Sequence, residues 1–378
     1  SEMCIRDSPR SADQGTTETG YGSKSYRNYI LGILLTVYIF NFIDRTIINI
    51  LTEPIKESFG VEDWQMGLLG GPAFAILYTF VGIPIARFSE KHHRVWIIAG
   101  SVFLWSLMTV LCGFATSFIA LFIFRIGVSI GEAGCSPPAN SLIADYFIPA
   151  ERSTAVSVYA LGIPLGGMVA YVFGGYIVGN LDGPIIGALL ASWNWTWAVN
   201  ALDWQNIEGW RVAFVVVGVP GLIVAAIVKL TIAEPPRGYT DPAEMQNREQ
   251  VGFREVLRIL SQKPAYWHVT MGVTIASFVN YGVGQFFVSF LIRTHELSIF
   301  DASVKIAMAL ALMAAIGTYM SGFLADKYAK RFPKALALIP MFALIGVIPM
   351  HVTGYLAESL WLAGPRMMVG QMLLYTYL

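Results

Sequence analysis

Charge is what this sequence has least of. Lys, Arg, Asp and Glu make up only 13% of its 378 residues, against 55% hydrophobic. A soluble domain carries about 25% charged residues, so a water-soluble fold of this size could not cover its surface. A disordered chain is excluded too, because it needs low hydrophobicity. Neither sign of charge dominates, since 25 Lys and Arg balance 25 Asp and Glu. Nothing therefore argues for nucleic acid or for an acidic partner. Cysteine is scarce: Cys4 lies in a polar tail, while Cys112 and Cys135 fall inside apolar segments. That spacing fits neither a metal site nor a disulfide framework. His92, His93, His268 and His351 have no metal spacing, and no His-Glu-x-x-His pattern appears. No metal and no cofactor is expected. Residues 1–26 lack an apolar core and are no signal peptide. They read as a disordered tail, and Ser1 in the place of Met sets Ser1–Arg10 apart as a non-native start.

Apolar runs are what the sequence has in abundance. A spanning helix needs about 20 mostly apolar residues, and ten windows qualify: 28–51, 64–86, 95–115, 118–143, 154–179, 211–232, 266–292, 302–325, 335–353 and 359–378. The expected fold is an all-α, multi-pass membrane protein. Basic residues alternate between loops. One set holds Lys24, Arg27, Arg87, Lys91, Arg94, Arg152, Arg237, Arg254, Arg258, Lys263, Lys327 and Arg331, and the other mainly Lys56, Arg211 and Arg293. The positive-inside rule then makes the amino terminus cytoplasmic, in a bacterial inner (plasma) membrane. A polar linker over 233–264 separates a six-helix half, 27–232, from a second half over 265–378. The Trp-rich segment 180–210 reads as a loop at the outer interface, where Trp is favoured.

The two halves share a motif. Ala86-Arg-Phe-Ser-Glu90-Lys91-His-His-Arg94 follows the second span, and Gly322-Phe-Leu-Ala-Asp326-Lys327-Tyr-Ala-Lys-Arg331 follows the eighth. A repeated helical unit around a central site is the plan of many secondary transporters. These acid–base loops resemble those of the major facilitator superfamily. Asn41-Phe-Ile-Asp44-Arg45 in the first span and Arg125-Ile-Gly-Val-Ser-Ile-Gly131-Glu132 in the fourth resemble its Spinster-like branch. Ala86, Glu90 and the long 180–210 segment depart from the pattern. The resemblance implies twelve helices, of which this chain holds ten, the second half being truncated. It also implies protonation and gating roles for the acids at Asp44 and Glu132. The loop charges Glu90, Lys91, Arg94, Asp145, Arg152, Asp326, Lys327 and Arg331 would latch the cytoplasmic gate.

Ionisable residues inside spans are costly and functional by default; here they are Asp44, Arg45, Arg125 and Glu132. At 1.5 Å rise per residue, Asp44 lies roughly 24 Å from one face and Arg125 roughly 10 Å from the other. In a core about 30 Å thick these levels nearly coincide, so Asp44 and Arg125 are candidates to pair. Seven residues separate Arg125 from Glu132, which returns the acid to within about 20° of the same helix face. A carboxyl whose Arg partner comes and goes would load and release a proton. Arg45 and Arg125, always charged, suit a partner role; a static pair that fixes helix packing is the plain alternative. The resemblance places Tyr38, Asn41, Asn140, Asn280, Tyr281 and Gln285 around a central cavity for substrate. The expected function is proton-coupled alternating access for an amphipathic or organic-anion molecule, lysolipid-like or an organic acid. The expected partners are that substrate, protons and the bilayer, with the protein a monomer. A sugar-acid, aromatic-acid or drug transporter is the runner-up, and a membrane-embedded enzyme the reading after that.

Overall fold

The computed structural model describes residues 20–181, 183–196, 200, 203–241, 253–329, 331–332 and 334–377. Most of the expected tail, the linker stretch 242–252 and the side chain of Asp326 lie outside the described residues. Nine helices among the described residues are long and apolar enough to cross a membrane. The first is α1, Lys24–Ile50, whose 27 residues reach about 40 Å. Ser23 caps it, its hydroxyl accepting from the Tyr26 N–H at 3.2 Å. After it α2, Thr52–Phe59, stops at Gly60, which adopts φ 62°; a left-handed residue without a Cβ ends a helix at little cost.

The second, fourth and fifth spans are each interrupted. The second joins α3, Asp63–Gly70, to α4, Pro72–Lys91. The third is α5, Arg94–Gly113. The fourth joins α6, Phe118–Ala133, to α7, Ser136–Tyr146, ahead of Pro137 and Pro138. The fifth joins α8, Pro149–Ala160, to α9, Gly162–Asn180, ahead of Pro164. Proline clashes with the preceding turn, and neighbouring helices satisfy the freed backbone groups.

The segment expected to be an interfacial loop contains α10, Gly183–Ser192. Its Ala and Leu residues favour a helix, with Pro184 in the first turn where no N–H is needed. Gly183 and Gly187 face Ile207 and Trp204, and the Gly183 N–H donates to the Ile207 carbonyl at 2.9 Å. Trp193 and Trp195 are half exposed and pack edge to face.

The sixth span is α11, Gly209–Thr231. Beyond the linker come α12, Phe253–Ser261, and α13, Pro264–His295. A π-helical turn over Asp301–Ala307 leads into α14, Met308–Ala329. Then follow α15, Ala335–Tyr355, and α16, Leu360–Leu374. The last occupies the tenth expected window but has 15 residues, shorter than the other spans.

Two apolar clusters locate the cavity. One contains residues of the first half alone, including Leu34, Val37, Trp105 and Tyr146, toward the face that carries Arg94 and Arg152. The other draws on both halves, with Ile47, Leu51, Met66 and Trp210 against Phe287, Leu291 and Met367. The halves therefore pack at the face opposite Arg94 and part toward the basic face. A central cavity of about 310 Å³ lies between them.

Candidate functional site

Consecutive residues of a helix point about 100° apart, so Asp44 and Arg45 of α1 look toward different neighbours. Arg45 faces the cavity and α6, and its Nε donates to Glu132 Oε2 at 2.6 Å. The Glu132 side chain is fully buried and that of Arg45 is 15% exposed. The Arg45 guanidinium also lies 4.5 Å from the Tyr78 ring centre and 5.2 Å from that of Phe42. Such aromatic faces hold a cation in place of water. Asp44 turns the other way, toward Thr109 of α5 and Arg125 of α6. The depth argument brings Asp44 and Arg125 together, but not as an ion pair. Arg125 Nη1 donates to the main-chain carbonyl of Asp44 at 3.2 Å. Among the described residues Asp44 Oδ1 and Glu132 Oε1 are buried without hydrogen-bond partners. The site thus holds one buried carboxylate in a tight ion pair and, beside it, one that has no cation within 4 Å among the described residues.

The cavity is lined from both halves. Arg45, Asn49, Arg125 and Tyr171 face it from the first half, and Asn280, Tyr281 and Gln285 from α13. Tyr355, Gln371 and Tyr375 line it too and were not among the residues picked out from the sequence. Asn280 Nδ2 donates to the Tyr375 hydroxyl at 3.2 Å. Other expected lining residues lie elsewhere. Tyr38 stacks on Tyr159 with ring centres 4.3 Å apart, Asn41 is buried beside Glu132, and Asn140 is exposed. One pattern points toward hydrolases: Gly127-Val-Ser129-Ile-Gly131 has the Gly-x-Ser-x-Gly spacing. A nucleophile elbow needs a strand-to-helix turn. Ser129 instead sits inside α6, buried, donating to the Phe74 carbonyl at 2.8 Å.

At the face opposite Arg94 a seal joins the halves. Arg293 of α13 donates through Nη1 to Asp63 Oδ2 at 2.9 Å and through Nη2 to Asp63 Oδ1 at 2.8 Å. Its Nη2 also reaches Glu53 at 2.6 Å, and Lys56 contacts Asp63. Behind this network Gln285 Nε2 donates to Thr52 Oγ1 at 3.3 Å. Gly70 leaves room for the Gln285 amide, since a Cβ on it would fall 1.7 Å from Gln285 Oε1 and push that side chain aside. The sequence carried a signal for this seal. Lys56, Arg211 and Arg293 are basic residues on the face where such residues are few, and each is paired with an acid.

The loop charges on the basic face form a different structure. Arg94 is buried, 1% exposed, and contacts Asp145. Its Nε donates to Glu234 at 2.6 Å, its Nη1 to Ser141 Oγ at 2.8 Å and its Nη2 to the Pro235 carbonyl at 2.9 Å. Arg237 donates to the carbonyls of Ser89 and His92, and the Gly238 N–H to Asp145 Oδ1 at 2.9 Å. Arg152 reaches Asp241 at 3.0 Å. Residues 233–241, placed in the linker by their polarity, thus strap the first half. Glu90, Lys91, Lys327 and Arg331 are exposed.

Spanning helices in two halves around a central cavity, with buried ionic groups at its wall, define an integral membrane protein of the secondary-transporter class. Residues 34–376 match the model of the Major Facilitator Superfamily, and the chain belongs to that family. Within it the chain is Spinster-like. It is similar to a crystal structure of a bacterial homolog to the human lysosomal transporter Spinster, in an inward-facing and unoccupied conformation. The TM-score is 0.86 at 44% identity, covering 94% of this chain and 74% of that one. An MFS-type efflux pump of Mycolicibacterium smegmatis is 29% identical over 329 residues, 87% of this chain and 69% of the pump. Protein spinster of Drosophila melanogaster is 27% identical over 330 residues, 85% of this chain and 49% of that protein. The chain thus spans about half the length of that relative. The xylose transporter XylE from E. coli shares the fold alone, with a TM-score of 0.66 at 16% identity, covering 94% of this chain and 82% of that one.

Proposed function

We propose that this protein is a proton-coupled secondary transporter for an amphipathic or organic anion, working by alternating access. The basic face is cytoplasmic and the Arg293 face external, in a bacterial plasma membrane. The observation that carries the reading is the Arg45–Glu132 pair at the cavity wall, 2.6 Å long and beside the unpaired carboxyl of Asp44. A proton on Glu132 removes the charge that holds Arg45 and frees its guanidinium for an anion in the cavity. An incoming anion, conversely, competes with Glu132 for Arg45. Asp44 supplies a second protonation site within the same buried cluster. Asn280, Tyr281 and Gln285 bring amides and an aromatic ring to the opposite wall, as an amphipathic guest requires. Substrate-driven pH change in proteoliposomes tests the coupling. Asp44→Asn is expected to abolish the proton flux, and normal coupled transport by that variant would sink the proposal.

The halves over 27–232 and 265–378 act as the two moving bodies. Three features support reading this arrangement as an inward-facing state: the sealed Arg293 face, the apolar packing across it and the parted basic face. In the opposite state Glu90, Lys91, Asp326, Lys327 and Arg331 would latch the cytoplasmic ends. Exposed ion pairs are each worth up to about 1 kcal/mol, and Arg293 holds two acids. Arg293→Ala is therefore expected to shift the population toward outward-facing by roughly tenfold, about 1.4 kcal/mol. Distances between spin labels on the external ends of α2 and α13 read this out. An unchanged distribution would remove Arg293 from the seal.

A further inference from the structure

The helix α12, Phe253–Ser261, has no place in the transport cycle just described. Its sequence, Phe-Arg-Glu-Val-Leu-Arg-Ile-Leu-Ser, puts Val256, Leu257 and Leu260 on one helical face at i, i+1 and i+4. Arg254, Glu255, Arg258 and Ser261 take the other. On that face Val256 is 37% and Leu257 50% exposed, and Ile259 at its border is 43% exposed. Such a helix is not stable in water by its own propensity at nine residues and needs a surface for its apolar face.

Two observations say which surface. The first is chain geometry. Only Gln262 and Lys263 separate Ser261 from Pro264, where α13 begins. That corner is pinned, because the Trp267 indole donates to the Ser261 carbonyl at 3.2 Å and the Lys263 N–H to the Leu260 carbonyl at 3.1 Å. A connection this short holds the end of α12 within roughly 10 Å of the start of a membrane span. The second is charge and aromatic placement. Arg254, Arg258 and Lys263 outnumber Glu255, and Tyr266 and Trp267 stand exposed at the corner. Basic side chains on the polar face of an amphipathic helix favour an anionic leaflet, and Trp and Tyr favour the interface.

We infer that α12 lies in the plane of the membrane and docks its apolar face into an anionic lipid leaflet, anchoring the second half where the linker meets it. The leaflet is the cytoplasmic one if the orientation proposed above holds. The test uses the full chain in nanodiscs of phosphatidylcholine, with or without phosphatidylglycerol. A nitroxide is placed at Leu257→Cys in a Cys4→Ser background, where Cys112 and Cys135 are buried. With the anionic lipid the label is expected to become accessible to oxygen and protected from a water-soluble nickel chelate. Each arginine at an anionic surface accounts for roughly fivefold in partitioning, so Arg254→Gln with Arg258→Gln should weaken docking about 25-fold. A nickel-accessible label in both lipids would overturn the inference. So would a label shielded from both reagents, which would mean that α12 packs on the first half instead. The readout involves no transport, so its failure leaves the transporter proposal standing.

Discussion

Arg45→Ala is expected to cost about 3–5 kcal/mol of stability and to abolish coupled transport, because it leaves Glu132 buried without its cation. The Glu132 side chain has no exposed surface, and Oε2 loses a 2.6 Å charge-assisted bond while Oε1 already lacks a partner. The aromatic faces of Tyr78 and Phe42 that flanked the guanidinium are left against a void. The double variant Arg45→Ala with Glu132→Gln separates charge from packing, since it removes both charges and keeps the acid's shape. Its thermal-unfolding midpoint is expected to lie between the single variant and the parent. A single variant as stable as the parent would show that the pair is not held in this geometry. A double variant no better than the single would assign the loss to packing.

Arg94→Ala should have a comparable effect by a different route. Arg94 is buried among Asp145, Glu234, Ser141 and the Pro235 carbonyl. Removing it leaves two acids facing each other at the base of the strap, at about 3–5 kcal/mol for an uncompensated buried charge. The strap should then detach, since the Glu234 carboxylate holds it to Arg94 and to the Val95 N–H at 3.0 Å. Proteolysis of the linker near Arg237 reads out detachment, with cleavage expected to accelerate at least tenfold in Arg94→Ala. Arg94→Lys keeps the charge but offers no planar fork, and should protect only in part. Equal cleavage in all three proteins would mean that the other contacts hold the strap without Arg94: Tyr26 and Tyr146 to the main chain at Thr231 and Ala233, Arg237 to the Ser89 and His92 carbonyls, and Arg152 to Asp241.

The spans were legible because lipid leaves the backbone no other option than a helix. Asp44, Arg45, Arg125 and Glu132 were legible for a related reason, since charge in an apolar run is too costly to be incidental. The cavity was only partly so. Asn280, Tyr281 and Gln285 stood out as polar residues in a span, yet Tyr355 and Tyr375 line the same space and did not stand out. An aromatic residue serves lipid, core and cavity equally well, and only the neighbouring helices select among them.

The sequence by itself determined which windows are apolar enough to cross a membrane, which loops carry the basic residues and which four charges lie inside spans. Each follows from local cost, the free energy of one residue or one window in lipid. Tertiary structure alone decided the partners. It gave Glu132 to Arg45 and turned Arg125 to the Asp44 carbonyl, because pairing depends on helix rotation and on distances near 3 Å. It also closed the molecule at Arg293, strapped residues 233–241 to the first half and left α12 uncovered. Those contacts join residues up to 240 positions apart, as between Arg293 and Glu53, and nothing in the local pattern of either residue names the other.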